Sequence, residues 1–130
     1  MGFLGKKPAD AAQVARSAGQ LAEDAALRHA LARGWQLITR NYRTPGRGGG
    51  EIDLILRAGD GTVVFVEVRS RSSDRYGGAA SSIDGIKRKR IVLTARHWLA
   101  RQRSVPACRF DAALVQGDQL QWIEGAFDGE

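Results

Sequence analysis

Apolar side chains first recur at helical spacing in an Ala-rich stretch that runs to Arg33, where Glu23, Leu27, Ala30 and Leu31 share one face. Two capping boxes stand ahead of it, Asp10-x-x-Gln13 and Ser17-x-x-Gln20, and either can start the helix; Gly34 is placed to cap its end. A strand is predicted from about Trp35 to Tyr42, and the run TPGRGGG (Thr44 to Gly50) reads as a flexible loop. The period then changes to two. Ile52, Leu54 and Leu56 alternate with Glu51, Asp53, Ile55 and Arg57, and Val64, Val66 and Val68 alternate with Val63, Phe65, Glu67, Arg69 and Arg71. Two strands are therefore expected, about Glu51–Arg57 and Thr62–Arg71, joined as a hairpin across Ala58-Gly59-Asp60-Gly61.

Matching the aliphatic faces of that hairpin restricts its register, because a slip of one residue would turn every side chain to the other face. A three-residue loop Gly59-Asp60-Gly61 sets Asp53 opposite Glu67 and Glu51 opposite Arg69. The neighbouring registers that respect the pattern move Asp53 by only two residues along the same face. Each of them brings the Asp53 and Glu67 carboxylates together.

Beyond a Gly/Ser-rich turn (Ser70 to Ser82), Ser81-x-x-Asp84 forms another capping box ahead of a helix from about Ile83 to Arg103. Ile83, Ile91, Ala95 and Trp98 mark its buried stripe, and Lys87 lies on that stripe, four residues from both Ile83 and Ile91. Pro106 stops the pattern, and strands at about Cys108–Gln116 and Gln119–Glu124 flank Gly117-Asp118. The order αβββαββ predicts a single α/β domain, residues 17–130, whose mixed central sheet is flanked by helices; residues 1–16 read as a loosely ordered N-terminal tail.

Composition narrows the chemistry. The chain has 130 residues, 43% hydrophobic and 26% charged, ordinary values for a globular protein that exclude a disordered, collagen-like or coiled-coil chain. No apolar run approaches the length needed to span a bilayer, and the start lacks the apolar core of a signal peptide. One cysteine excludes an internal disulfide framework, and with only two histidines a structural zinc site is not expected. The expectation is a small soluble cytoplasmic domain without membrane contact. Net charge is +6 and unevenly spread: residues 40–109 hold fifteen basic and six acidic side chains, whereas residues 110–130 hold five acids and no base. A positive middle rich in Arg, whose planar fork grips phosphate in pairs of hydrogen bonds, suits a polyanion such as nucleic acid.

Two carboxylates facing the same side of adjacent strands repel and cost desolvation unless a cation lies between them. Mg²⁺ fits such a pair, since it takes one or two carboxylates and completes its shell with water. There it lowers the pKa of bound water and offsets charge on a phosphodiester under attack. Arg69, two residues beyond Glu67 on the same face, would stand near that phosphate. The same spacing also describes a cross-strand cluster of ion pairs on a solvated sheet face, and residue types alone do not choose between the two.

The strings GEIDL (Gly50 to Leu54), VFVEVRSR (Val64 to Arg71), Tyr76-Gly77, KRKRI (Lys87 to Ile91) and RFDAAL (Arg109 to Leu114) resemble the YraN-like family of uncharacterised proteins, as do Gly19, Glu23 and Asn41-Tyr42-Arg43 upstream. That family is similar to the PD-(D/E)XK superfamily of restriction-endonuclease-like enzymes, which includes Holliday-junction resolvases. The resemblance implies a restriction-endonuclease-like fold and an endonuclease dependent on Mg²⁺ or Mn²⁺, hydrolysing phosphodiesters of DNA, branched DNA included, in preference to RNA. It implies Asp53 and Glu67 as metal ligands, with Arg69 and Glu23 joining them in the catalytic set. One departure stands out: the motif's last residue is normally Lys, and here it is Arg69. A guanidinium stays charged and cannot serve as a base, so Arg69 is expected to stabilise the transition state. Lys87, inward on the second helix, is a candidate for the missing amine; its other reading is a lysine whose stem covers apolar sheet while its head reaches water. The alternative is a nucleic-acid-binding module that keeps the fold and the basic face without turnover. A protein-interaction adaptor whose basic surface meets an acidic partner is the third reading.

Arg43, Arg47, Arg71, Lys87, Arg88 and Arg90 are the expected contacts to nucleic acid, two of the four cations of the KRKR run meeting it and the others staying solvated. The glycine-rich loop lacks the GK[ST] ending of a phosphate-cradling loop. Tyr76, after the strand, is a candidate for stacking on a base, packing within the turn being the commoner role for such a residue. Trp35, Trp98 and Trp122 read as core or edge residues, His29 and His97 as exposed, and Cys108 as a small buried hydrophobe.

Overall fold

A computed structural model describes residues 16–46, 49–70 and 83–129. The elements are α1 (Ala18–Ala32), β1 (Gln36–Arg43), β2 (Glu51–Arg57), β3 (Val63–Ser70), α2 (Gly85–Leu99), β4 (Cys108–Gln116) and β5 (Gln119–Phe127), the expected order αβββαββ. The expected tail before Arg16, the Asp10 box, Arg47, Arg71, Tyr76 and Ser81 lie outside the described residues.

The second capping box starts α1: Ser17 Oγ accepts from the Gln20 amide (3.1 Å), and the Gln20 side chain accepts from the Ser17 amide (2.9 Å). Gly34, at φ +86°, takes the left-handed turn that ends the helix. Its buried face is Ala22, Ala26 and Ala30, rotated from the expected stripe so that Leu31 is exposed. Small side chains on this face let the helix seat closely on the sheet, and the larger Leu21 and Leu31 are turned outward. On α2, Asp84 is the N-cap, accepting from the Lys87 amide (2.9 Å). The helix ends four residues earlier than expected, because Arg101 and Gln102 donate back to Trp98 and Leu99 three residues away, a tighter turn than the α-helix.

The five strands form one sheet in the order β1-β2-β3-β4-β5, with β3 and β4 parallel across α2 and the other neighbours antiparallel, so the sheet is mixed. Val64 and Val66 join Leu54, Leu56 and Ala113 against α1, while Val63 and Phe65 join Ile55 and Phe110 against α2. Strand alternation thus sorts side chains onto the two faces of an α/β/α sandwich. Phe65 stacks on Phe110 (5.3 Å between centroids) and meets Trp98 edge-on (5.8 Å) in the larger aromatic layer.

The hairpin has the expected register: Leu54 pairs with Val66 and Leu56 with Val64, closed by Ala58 N–H to Thr62 O (2.8 Å) and Gly61 at φ +92°. Beyond Leu54 and Val66 the pairing stops. Ile52 consequently packs with the α2 cluster rather than beside Leu54 and Leu56, and Glu51 pairs with Arg43 on β1 instead of facing Arg69. Cys108 is exposed at the start of β4 rather than buried. Among the described residues no helix is long and apolar enough to cross a membrane.

Candidate active site

Asp53 sits where β2 leaves its partner strand. Its Oδ2 accepts from the Val68 amide (2.7 Å), so a side chain takes over a hydrogen bond that the ladder no longer makes. Asp53 (9% exposed) and Glu67 (3% exposed) are both buried here, in side-chain hydrogen-bond contact. Burial, then the hydrogen bond and charge of Glu67, push the Asp53 carboxyl up to about 8; the Val68 amide opposes this, and the more distant Glu23 adds to it weakly. Below that value the two carboxyls hold one proton between them.

Two cations meet the other carboxylate. Arg69 Nη2 and Lys87 Nζ each lie 3.2 Å from Glu67 Oε2. Arg69 reaches it along the strand, two residues away on the same face. Lys87 reaches it from the first turn of α2, whose docking is fixed by Ile91, Ala95 and Trp98 on the sheet. Gly50 is needed for that approach: a Cβ there would stand 2.7 Å from Thr94 Oγ1 and 3.0 Å from the Arg90 carbonyl. With one proton on the pair, two cations meet a single carboxylate charge and leave the cluster net positive, a field that favours a phosphodiester.

Glu23 is held elsewhere. Its Oε1 accepts from Arg40 Nε (3.2 Å) and Asn41 Nδ2 (3.1 Å), and Arg40 also pairs with Asp24 (2.8 Å). It acts on Asp53 through its charge, outside the hydrogen-bonded pair. Asn41 adopts φ +55°, a left-handed conformation that asparagine tolerates better than most residues. Neither Arg40 nor Asn41 was among the expected site residues; an Asn in the middle of an otherwise strand-like run was the available signal.

A hollow of about 370 Å³ opens beside Lys87, lined by Arg43, Arg90, the backbone of Gly49 and Gly50, and Glu51. Arg43 Nε contacts Glu51 Oε2 (2.7 Å) at its exposed edge. Arg88 faces away from this hollow, its guanidinium 5.8 Å from the Phe127 ring. The structure thus gathers Asp53, Glu67, Arg69 and Lys87, sets Arg43 and Arg90 next to them, and keeps Glu23 and Arg88 apart.

The donor set fits a small, oxygen-seeking dication. Release of the proton held by the pair would leave two adjacent carboxylates as oxygen donors, the kind of set that such a dication takes while water completes its shell. Among the described residues no group of three or more His, Cys, Asp or Glu side chains is placed to hold a metal ion, so the protein ligands to such a dication would be these two carboxylates.

Comparison with known proteins returns one family. The model of "Uncharacterised protein family UPF0102" matches residues 22–115. The chain is 61% identical to a UPF0102 protein of Acidovorax sp. (strain JS42) and 62% identical to one of Paracidovorax citrulli (strain AAC00-1), over 98% of both chains in each case. A UPF0102 protein of Albidiferax ferrireducens is 55% identical over 87% of this chain and 88% of its own.

Proposed function

The chain belongs to the UPF0102 family, and from that premise and the site geometry we propose that it is a divalent-metal-dependent endonuclease that hydrolyses phosphodiesters of DNA, branched DNA included. The observation that carries the reading is the buried Asp53–Glu67 pair with Arg69 and Lys87 both at 3.2 Å from Glu67. Asp53 and Glu67 would hold Mg²⁺ or Mn²⁺, which when bound acidifies water and offsets phosphate charge. Arg69, permanently protonated, stabilises negative charge building on the phosphate oxygens. An ammonium exchanges protons where a guanidinium does not, so Lys87 Nζ gives its proton to the oxygen that leaves phosphorus and takes one back from solvent. Arg43 and Arg90 hold backbone phosphates in the adjoining hollow, where salt weakens them. Glu23 keeps Arg40 and Asn41 in place and biases Asp53 from a distance.

Two observations favour a second reading, a binding module without turnover: Glu67 is already neutralised by two cations, and Arg69 stands where the motif has Lys. Cleavage of labelled single-stranded, duplex and four-way-junction DNA with Mg²⁺ or Mn²⁺ separates the two. Wild-type cutting that is lost in Glu67→Ala and falls at least tenfold in Lys87→Met supports the nuclease. A silent wild type beside an active Arg69→Lys supports the second reading. Silence in all variants with unchanged DNA binding removes the catalytic proposal.

A further inference from the structure

The run Lys87-Arg88-Lys89-Arg90 is divided by the helix between two flanks. Lys87 and Arg90 line the hollow beside Glu67, whereas Arg88 and Lys89 line a second hollow of about 530 Å³ on the far side of α2. The second floor is carbon: Val92, Leu93 and Phe127. Its rim is cationic, with Arg88, Lys89 and Arg96, and among the described residues Asp128 is the acid that lines it. Arg96 is held there by a hydrogen bond to the Gly129 carbonyl (3.2 Å), and Arg88 by the face of Phe127. Ile86 (67% exposed) and Leu93 (57% exposed) extend the apolar surface along the same flank, since residues 86, 89, 93 and 96 follow one another at helical spacing.

We propose that this flank of α2 docks an acidic, amphipathic segment of a partner protein, whose apolar side chains enter the hollow and whose carboxylates meet Arg88, Lys89 and Arg96. A nucleic-acid backbone would satisfy the cations but leave Ile86 and Leu93 in water, forfeiting the burial that such a surface offers. A second copy meeting this flank symmetrically would set cation against cation. A basic segment would be repelled. The acidic amphipathic segment satisfies both the floor and the rim, the helix-in-groove mode of recognition. It also leaves Lys87 and Arg90 uncovered, so partner and nucleic acid can be held by one helix at once. Docking on this flank is independent of whether the chain cleaves DNA.

A display library of peptides about 16 residues long, enough for four helical turns, is selected on the full chain and counter-selected on Leu93→Glu. The best binder is then titrated into isotope-labelled protein. The expected result is a consensus pairing Asp or Glu with Leu, Ile or Phe at helical spacing. Its binding shifts the amide signals of Ile86–Arg96 and Phe127, and weakens at least fivefold in Leu93→Ser, in Lys89→Glu and on raising salt. A basic consensus, no consensus, or shifts away from α2 would overturn the proposal. So would displacement of the peptide by an oligonucleotide, or self-association in sedimentation equilibrium that Leu93→Glu abolishes.

Discussion

Replacing Asp53 by Asn tests the electrostatics of the carboxylate pair directly. In the folded chain the Asp53 carboxyl is pushed up to about 8 from 3.8, chiefly by burial and then by Glu67. Between these values the folded chain holds a proton that the unfolded chain has released, so unfolding gains ground as pH rises. The Asp53 contribution to stability is complete below about pH 4, declines by about 1.4 kcal/mol per unit, and is lost above about pH 8. The carboxamide introduced by Asp53→Asn does not titrate. The stability of wild type relative to Asp53→Asn should therefore fall by on the order of 4 kcal/mol between pH 5 and 8 without metal. Urea denaturation at several pH values reads the titration of the Asp53–Glu67 pair, because the groups remote from it are shared by both proteins and cancel. Because Asp53 must ionise to hold a cation, Mg²⁺ affinity should rise about tenfold per pH unit below 8 and then level off. Saturating Mg²⁺ should restore wild type, and not Asp53→Asn, at the alkaline end. A difference that stays flat with pH would show that Asp53 is ionised throughout, and the shared-proton account of the site would fail.

Asp111, fully buried, accepts from Arg109 Nε (3.0 Å), Trp122 Nε1 (2.8 Å) and the Gly125 amide (3.0 Å), so it ties β4 to the irregular end of β5. Asp111→Ala strands these donors and should cost about 3–5 kcal/mol in chemical denaturation, with Asp111→Asn recovering part of the loss. Gly50→Ala forces α2 off the sheet through its 2.7 Å clash with Thr94 Oγ1. It should cost about 1–3 kcal/mol. Adding Thr94→Ala should return only part of the stability, because the Arg90 carbonyl remains 3.0 Å away; full recovery would show that backbone contact plays no part.

Local order was legible in the chain. The capping box at Ser17, the glycine at 34, and the alternation either side of Gly59-Asp60-Gly61 are short-range devices, and each acts within a few residues of itself. Together they set the element order and the hairpin register that puts Asp53 near Glu67, before any long-range contact is known. What depends on where a helix lands was not legible. The buried face of α1 departs from the expected stripe because burial follows the close seating of Ala22, Ala26 and Ala30, not the count of large apolar residues. Lys87 lay visibly on a buried stripe, but its 3.2 Å contact with Glu67 is set by docking of Ile91, Ala95 and Trp98 on a sheet that closes only after β4 is placed. Glu23 looked like a member of the cluster, and its capture by Arg40 and Asn41 required a left-handed residue inside β1. Residue order alone settles which charges exist and which strand faces carry them. Which of those charges meet is settled in three dimensions, because burial and close distance turn a list of ionisable residues into one coupled site.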